Sequence, residues 1–320
     1  MFTTPVSFHI FNRPEQTWRV FNELKKIQPA RLFITADGPR AERPDDIEKC
    51  ARTRAIIDHI DWECDLTTFF SETNQGSFKS TSSGITRVFE QVENAIILED
   101  DCVPHATFFR FCQEMLDHYR DEERVALIAG NNFLPDSHTQ DYSYYFSRYT
   151  HMWGWATWKR TWDMIDFSMS NWPAFRDRDG LGQYFERSHE KIYWHDIMQG
   201  MYEKRTGLHW DYLLILAMFI NNSLVAKSSA NLISNTGYDD DATHTSIKTR
   251  HHDTNLQGAR FPLHHPPEIT RDKLADDYME ANYFSMGLGE HLQKKAAALL
   301  PDTVSSRLRS VKRRIFGHKQ

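Results

Sequence analysis

The sequence predicts an α/β fold: a mostly parallel sheet with helices packed on both faces. Three observations carry that prediction. Short β-rich runs alternate with amphipathic helical patterns through the first 130 residues. The purest run, Ala95 to Leu98, is apolar at every position, as a strand buried on both faces requires. Three of the runs stop abruptly on polar residues, Asn12-Arg13, Asp37 and Glu99-Asp100-Asp101. In open parallel sheets that edge is where ligands bind.

Each element follows from local pattern. Val6 to Phe11 is a strand ended by the turn Asn12-Arg13-Pro14, and a helix follows with Trp18, Phe21, Leu24 and Ile27 on one face. Arg31 to Ala36 is a second strand, broken at Asp37-Gly38-Pro39. A charged helical stretch near residues 44–60 precedes a third strand, Leu66 to Phe70. Ile85, Val88, Phe89 and Val92 recur at i, i+3, i+4 and i+7, which marks a helix ahead of the strand Ala95 to Leu98. A helix carrying Phe108, Cys112, Met115 and Tyr119 and a strand Val125 to Ala129 complete the first half.

From residue 150 the composition shifts: seven of the nine tryptophans fall between Trp153 and Trp210. No Pro-, Gly- or Ser-rich linker intervenes, so residues 1–250 read as one domain, with a ligand-binding half (1–130) and a second half (131–250). Residues 251–320 read as a C-terminal extension, and its segment Ser306 to Gln320 holds six Lys/Arg and no acid. That segment is either a solvated helix or a contact for an anionic membrane.

Composition excludes several classes. With 38 Lys+Arg against 44 Asp+Glu, the net charge of −6 disfavours a nucleic-acid coat. The apolar run Leu213 to Ile220 is eight residues, far short of the ~20 that span a bilayer. The start Met1-Phe2-Thr3-Thr4-Pro5 lacks a signal-peptide pattern, so a cytoplasmic setting is expected. Four cysteines without a C-x-x-C pair argue against a thiolate zinc site, and the His-His pairs at 251–252 and 264–265 read as solvated loops. The first turn is not G-x-G-x-x-G, which weighs against a dinucleotide-dependent dehydrogenase.

The acidic triplet is the strongest chemical signal. Three consecutive carboxylates directly after a buried strand repel one another unless charge compensates them. A divalent cation does so, and oxygen ligands suit magnesium or manganese. Trp210-Asp211-Tyr212 places another carboxylate among aromatic residues, either as a general base or as the N-cap of the apolar helix behind it. Asp196 and Glu203 are the reserve candidates for a base.

Taken together, Asn12-Arg13, Asp37-Gly38, the segment Asn74-Gln75-Gly76 leading to Lys79 and Gly84, Glu99-Asp100-Asp101, Trp153-Gly154-Trp155-Ala156-Thr157-Trp158 and Gly237 to His244 resemble the GT-A type glycosyltransferases. The likeness is to family-2-like nucleotide-diphospho-sugar transferases, and E-D-D is the variant also seen in eukaryotic N-acetylglucosaminyltransferase I. It implies a GT-A, Rossmann-like fold and an inverting, metal-dependent transfer of sugar from a nucleoside diphosphate, with uridine diphosphate the expected carrier. The acceptor would be a hydroxyl on a glycan or lipid-linked glycan. By the same likeness Asp101 and His244 hold manganese or magnesium. Asp100 or Glu99 binds ribose, Asp37 the base N–H, and Asn12 and Arg13 the nucleoside turn. Arg13 or Lys79 offsets phosphate charge, and Asp211 is the base. Trp153 and Trp155 either stack on a sugar ring or pack in the core. Two rivals remain: a non-catalytic glycan- or partner-binding module on the same fold, and a metal-dependent nucleotidyltransferase or hydrolase.

Overall fold

The computed structural model describes residues 2–135, 138, 141–204, 208–237 and 256–284. In chain order the strands are β1 (Val6–Ile10), β2 (Arg31–Ala36), β3 (Asp65–Phe70), β4 (Asn94–Glu99), β5 (Cys102–Pro104), β6 (Val125–Ala129), β7 (Tyr144–Ser147), β8 (Trp155–Trp158), β9 (Leu224–Ser228) and β10 (Ile233–Asn235). The helices are α1 (Pro14–Ile27), α2 (Asp45–Arg54), α3 (Ser77–Phe89), α4 (Ala106–His118), the short α5 (Lys159–Trp162), α6 (Trp172–Asp177) and α7 (Gly180–Tyr184), then α8 (Ser188–Lys204), α9 (Trp210–Asn221) and α10 (Lys273–Met279). Eight strands form one sheet in the order β3-β2-β1-β4-β8-β6-β9-β7, while β5 and β10 make a separate two-stranded ribbon.

The expected α/β architecture is present. β3, β2, β1 and β4 pair in parallel, as do β6 and β9. Antiparallel pairing enters where β8 lies between β4 and β6, and where β7 closes the edge on β9. The parallel half is the half that the alternating pattern covers. The antiparallel strands belong to the tryptophan-rich half, where elements are short.

Neighbouring residues of one strand feed opposite cores. Phe33 and Ile97 pack on the side of α3, α8 and α9, whereas Ile34 and Ile96 pack on the side of α1 and α4. Two-sided burial is why these strands read as unbroken apolar runs. Helix α1 opens with Pro14 at its first position, where the missing N–H costs nothing. It buries Phe21 and Leu24, while Trp18 stays near the surface against the His59 ring. Residues 256–284 return to the body, with Arg271 bridging to Phe146 of β7 and Asp276 accepting from Ser147. Cys50, Cys64, Cys102 and Cys112 are all free. No helix among the described residues is long and apolar enough to cross a membrane. His244 and the basic segment 306–320 lie outside the described residues.

Among the titratable groups buried in the sheet, which include Lys227 of β9, is a histidine of β1. His9 of β1 is 6% exposed, and burial pushes its pKa down to about 4 from 6.5. The unfolded chain therefore takes up this proton first as pH falls. His9's contribution is complete above pH 6.5 and is lost progressively toward pH 4, up to about 3 kcal/mol in all. Denaturant melts at pH 7 and pH 4.5 should show a smaller loss for His9→Leu than for the parent. Equal losses would assign the acid sensitivity to other groups.

Candidate functional site

The carboxyl ends of β1, β2 and β4 open into a cleft of about 320 Å³. Its walls include Phe11 and Arg13 after β1, Asp37 and Arg40 after β2, the acidic triplet after β4, and Trp153. Helix α3 forms another wall with Ser77, Ser80 and Thr81. These three lie at i, i+3 and i+4, so they share one helical face. The cleft thus sits at the sheet edge that the strand-end residues indicated.

The acidic end is built around Arg13. Its Nη1 donates to Asp101 Oδ2 at 2.8 Å and to Asp100 Oδ1 at 3.5 Å. The Phe11 amide donates to the other Asp100 oxygen at 3.1 Å. Burial works against the Arg13 charge, but Asp100, Asp101 and Glu99 outweigh it and raise its pKa. Burial first, then the charges of Asp101, Asp100 and Asp211, pushes Glu99 up to about 8. Burial and Asp101 likewise push Asp100 up to about 7, against the pull of Arg13. One guanidinium leaves the three acids under-compensated.

A divalent cation fits that imbalance. The donors are carboxylate oxygens, which suit magnesium or manganese. Among the described residues no three His, Cys, Asp or Glu side chains form a ready cage. That is compatible with a cation held by one or two carboxylates and completed by phosphate oxygens.

The ribbon brings a second segment to this end. β5 and β10 pair antiparallel, and the Thr236 amide donates to the Asp101 carbonyl at 2.8 Å. The Gly237 amide donates to Asn235 Oδ1 at 2.8 Å, which holds residue 237 against the Asp101 carboxylate. A Cβ at 237 would overlap Asp101 Oδ2. Gly237→Ala should therefore displace that carboxylate with a near-parental melting temperature, because no core contact changes, and a cation that uses Asp101 as a ligand should bind the variant at least about tenfold more weakly. Titration of the variant with manganese and a nucleoside diphosphate checks this; unchanged affinity would count against Asp101 as the cation's ligand.

Asp37 organises the opposite wall. Its Oδ1 accepts from the amides of Gly38 and Gln75, both at 2.8 Å, and its Oδ2 from Gly76 N and Asn74 Nδ2, both at 3.0 Å. Each oxygen already carries two donors, so the expected contact with a base N–H finds no open acceptor position. In this structure the carboxylate holds the N-x-G loop that starts α3.

Other expectations are corrected by where the side chains go. Asn12 donates to Asp46 Oδ1 at 2.7 Å and does not line the cleft; it braces α2. Lys79 is exposed and donates to Gln75 at 2.7 Å, because it sits two residues round the helix from Ser77. Trp155 is fully buried and stacks on Trp210, so it belongs to the core. Trp153 lies one step nearer the strand end and lines the cleft. Asp196 lies beside His195 on the partly exposed face of α8, and Glu203 accepts from Gln199 near the same helix's end.

Asp211 is not an N-cap. His209 holds the cap position of α9 and Asp211 lies in its first turn, half-buried, with its charge felt by Glu99. More than a hundred residues along the chain from the triplet, Asp211 comes near enough for its charge to raise the pKa of Glu99, and it is not among the residues that line the cleft.

The sequence reading missed Arg40 and its anchor. Asp46 is buried, and Arg40 Nε and Nη2 donate to it at 2.6 and 3.0 Å, which lays the guanidinium over the Phe11 ring. Pairing holds Asp46 at about 2, with the Arg40 hydrogen bond the main cause. No local pattern announces this. The cleft face of α3 was missed as well, although Ser77, Ser80 and Thr81 stand at helical spacing in the sequence.

No family model matches the chain, and no curated protein does. Among solved structures it is similar to residues 1–349 of TarS from S. aureus, at 11% identity over 73% of this chain and 61% of that one, with a TM-score of 0.42. The chain thus spans about three fifths of that structure's length. It is also similar to the mannosyltransferase PcManGT from Pyrobaculum calidifontis in complex with GDP-Man and Mn2+, at 10% identity over 68% and 70% of the two chains and a TM-score of 0.35. A third likeness is to 4-diphosphocytidyl-2C-methyl-D-erythritolsynthase from Anaerococcus prevotii DSM 20548, at 12% identity over 55% and 85%, TM-score 0.30. Likenesses this distant assign no activity, substrate or metal to this chain.

Proposed function

We propose that the chain is a metal-dependent, inverting glycosyltransferase of the GT-A type, moving a sugar from a nucleoside diphosphate to a hydroxyl of a glycan or lipid-linked glycan. One observation supports this best. A carboxylate cluster, an arginine and a braced N-x-G loop line a single cleft at the ends of three parallel strands, with a further carboxylate, Asp211, close enough to act on Glu99 electrostatically. Uridine diphosphate is the expected carrier, and a cytoplasmic setting facing a membrane-linked acceptor belongs to the same proposal.

The residues divide the work. Asp101, with Asp100 behind it, would hold manganese or magnesium. A cation bound there supplies a Lewis acid to the leaving diphosphate. Arg13, oriented by both carboxylates, offers a fixed guanidinium to a phosphate oxygen. Trp153 presents a ring to the sugar. Asp211 accepts the proton of the acceptor hydroxyl as the new C–O bond forms and the bond to the diphosphate breaks.

Thermal melting against nucleoside diphosphates, with and without manganese, tests the reading. A stabilisation by several degrees that needs the metal and is absent in Asp101→Ala is expected. No shift with any nucleotide would turn the weight to a binding module without transfer activity.

A further inference from the structure

Asp100 and Asp101 each commit one carboxylate oxygen to a donor that cannot leave. Asp100 Oδ2 accepts from the Phe11 amide at 3.1 Å, and Asp101 Oδ1 accepts from the Cys102 thiol at 3.3 Å. Cys102 is fully buried and itself accepts from Asn235 Nδ2 at 3.7 Å, which turns its proton toward Asp101. The other two oxygens, Asp100 Oδ1 and Asp101 Oδ2, converge on a single atom, Arg13 Nη1, at 3.5 and 2.8 Å. The oxygens without fixed partners, which a divalent cation would take, are therefore the ones that hold the arginine. Guanidinium and cation cannot both close on the same pair, because like charges at that range repel strongly where all three side chains are 15% exposed or less.

The arginine is the partner that can give way. The carbonyl of Asp101 accepts from the Thr236 amide at 2.8 Å and from its hydroxyl at 3.2 Å, and Gly237 stands against Oδ2, so the acidic turn has nowhere to retreat. Arg13 is anchored only at its backbone, at the cap of α1, where its carbonyl accepts from the Thr17 amide at 2.9 Å. Its guanidinium grips the acids end-on through one nitrogen, without the two-pronged fork that makes arginine–carboxylate pairs strong. Among the described residues Nε and Nη2 have no acceptor, which leaves their N–H groups on offer in the cleft. Phosphate oxygens suit them, since a phosphate presents several acceptors to a planar set of donors.

We propose that Arg13 is a positioning residue that couples the cation to the nucleotide, an inference that rests on the nucleotide-sugar reading above. Arg13 stays fixed on the two carboxylates until a diphosphate takes its guanidinium, and the oxygens it leaves are then open to the cation. Cation and nucleotide bind weakly apart and tightly together, and Arg13 carries part of that difference.

The test is manganese binding, read from the electron paramagnetic resonance of the free ion, alone and with an excess of UDP, GDP, CDP or ADP. The proteins are the full chain, Arg13→Gln, Arg13→Leu, Arg13→Lys and Lys79→Gln. Both neutral variants at 13 should bind manganese alone at least about tenfold more tightly than the parent, and the further tightening brought by a nucleoside diphosphate should shrink by a similar factor. Arg13→Lys keeps a cation among the acids and Lys79→Gln removes one from an exposed position, so both should stay within about threefold of the parent. Manganese held by free nucleotide is common to all five samples and drops out of the comparison. Neutral variants that bind manganese alone no more tightly than the parent overturn the proposal. So does a nucleotide-dependent tightening as large in them as in the parent, and so does an equal gain in Lys79→Gln, which would trace the effect to net charge. A gain at position 13 with no nucleoside diphosphate bound by any of the five proteins leaves the exchange at the carboxylates in place and overturns the nucleotide-sugar reading. Manganese bound by none of them, with or without nucleotide, overturns both.

Discussion

Replacing Asp211 with asparagine is expected to lower sugar transfer by about 10²–10⁴-fold while changing nucleotide affinity by no more than about twofold. The amide keeps the shape of the side chain and cannot take a proton. Its position is well determined: Leu213 to Phe219, directly behind it in α9, are all buried, so the helix start cannot drift. Glutamate at the same place restores a base on a longer arm and should recover part of the rate, which a merely structural role would not predict. Steady-state rates with a defined acceptor, beside nucleotide titration, separate the two effects. A variant that keeps more than a tenth of the parental rate would move the base elsewhere.

Asp37→Ala should cost about 3 kcal/mol of folding stability and weaken nucleotide binding at least about tenfold, because four donors lose one acceptor in a largely dry place. Three are backbone amides, of Gly38, Gln75 and Gly76, and cannot turn away. Asp37→Asn is the sharper probe. It preserves volume, yet its NH2 group must face two of those donors, so it should recover little. Denaturant unfolding and nucleotide titration of both variants measure this. An asparagine variant as stable as the parent would mean that water substitutes for the carboxylate.

Much of the parallel half was readable from residues alone. Strands buried on both faces leave no choice but apolar runs, and their polar stops mark the sheet edge, so β1, β2, β4 and the acidic triplet were found together. The remainder depends on partners distant in the chain. Nothing near Asp46 reveals that it clamps Asn12 and Arg40, and nothing near Asp37 reveals four donors, three of them from residues 74–76. Lys79 was preferred for its charge, whereas the helical period favours Ser77, Ser80 and Thr81 for the cleft. Trp155 opens β8 and is buried in the core, whereas Trp153 stands before the strand, across the positive-φ Gly154, and reaches the cleft wall, a difference that the tryptophan spacing does not reveal. The insertion of β8 between β4 and β6 leaves no trace in hydrophobic pattern, since a buried strand reads the same in either direction.

The ribbon of β5 and β10 has a consequence for how the molecule opens. It welds the turn that carries Asp101 to the chain on the far side of α9 and β9, with the His105 amide bonded to Leu232 and the Thr236 amide to Asp101. The acidic turn therefore cannot loosen while the second half stays folded, nor the reverse. The acidic triplet and the tryptophan-rich half should melt as one cooperative unit, and the slow hydrogen exchange of those two amides would serve as a gauge of the whole cleft's integrity.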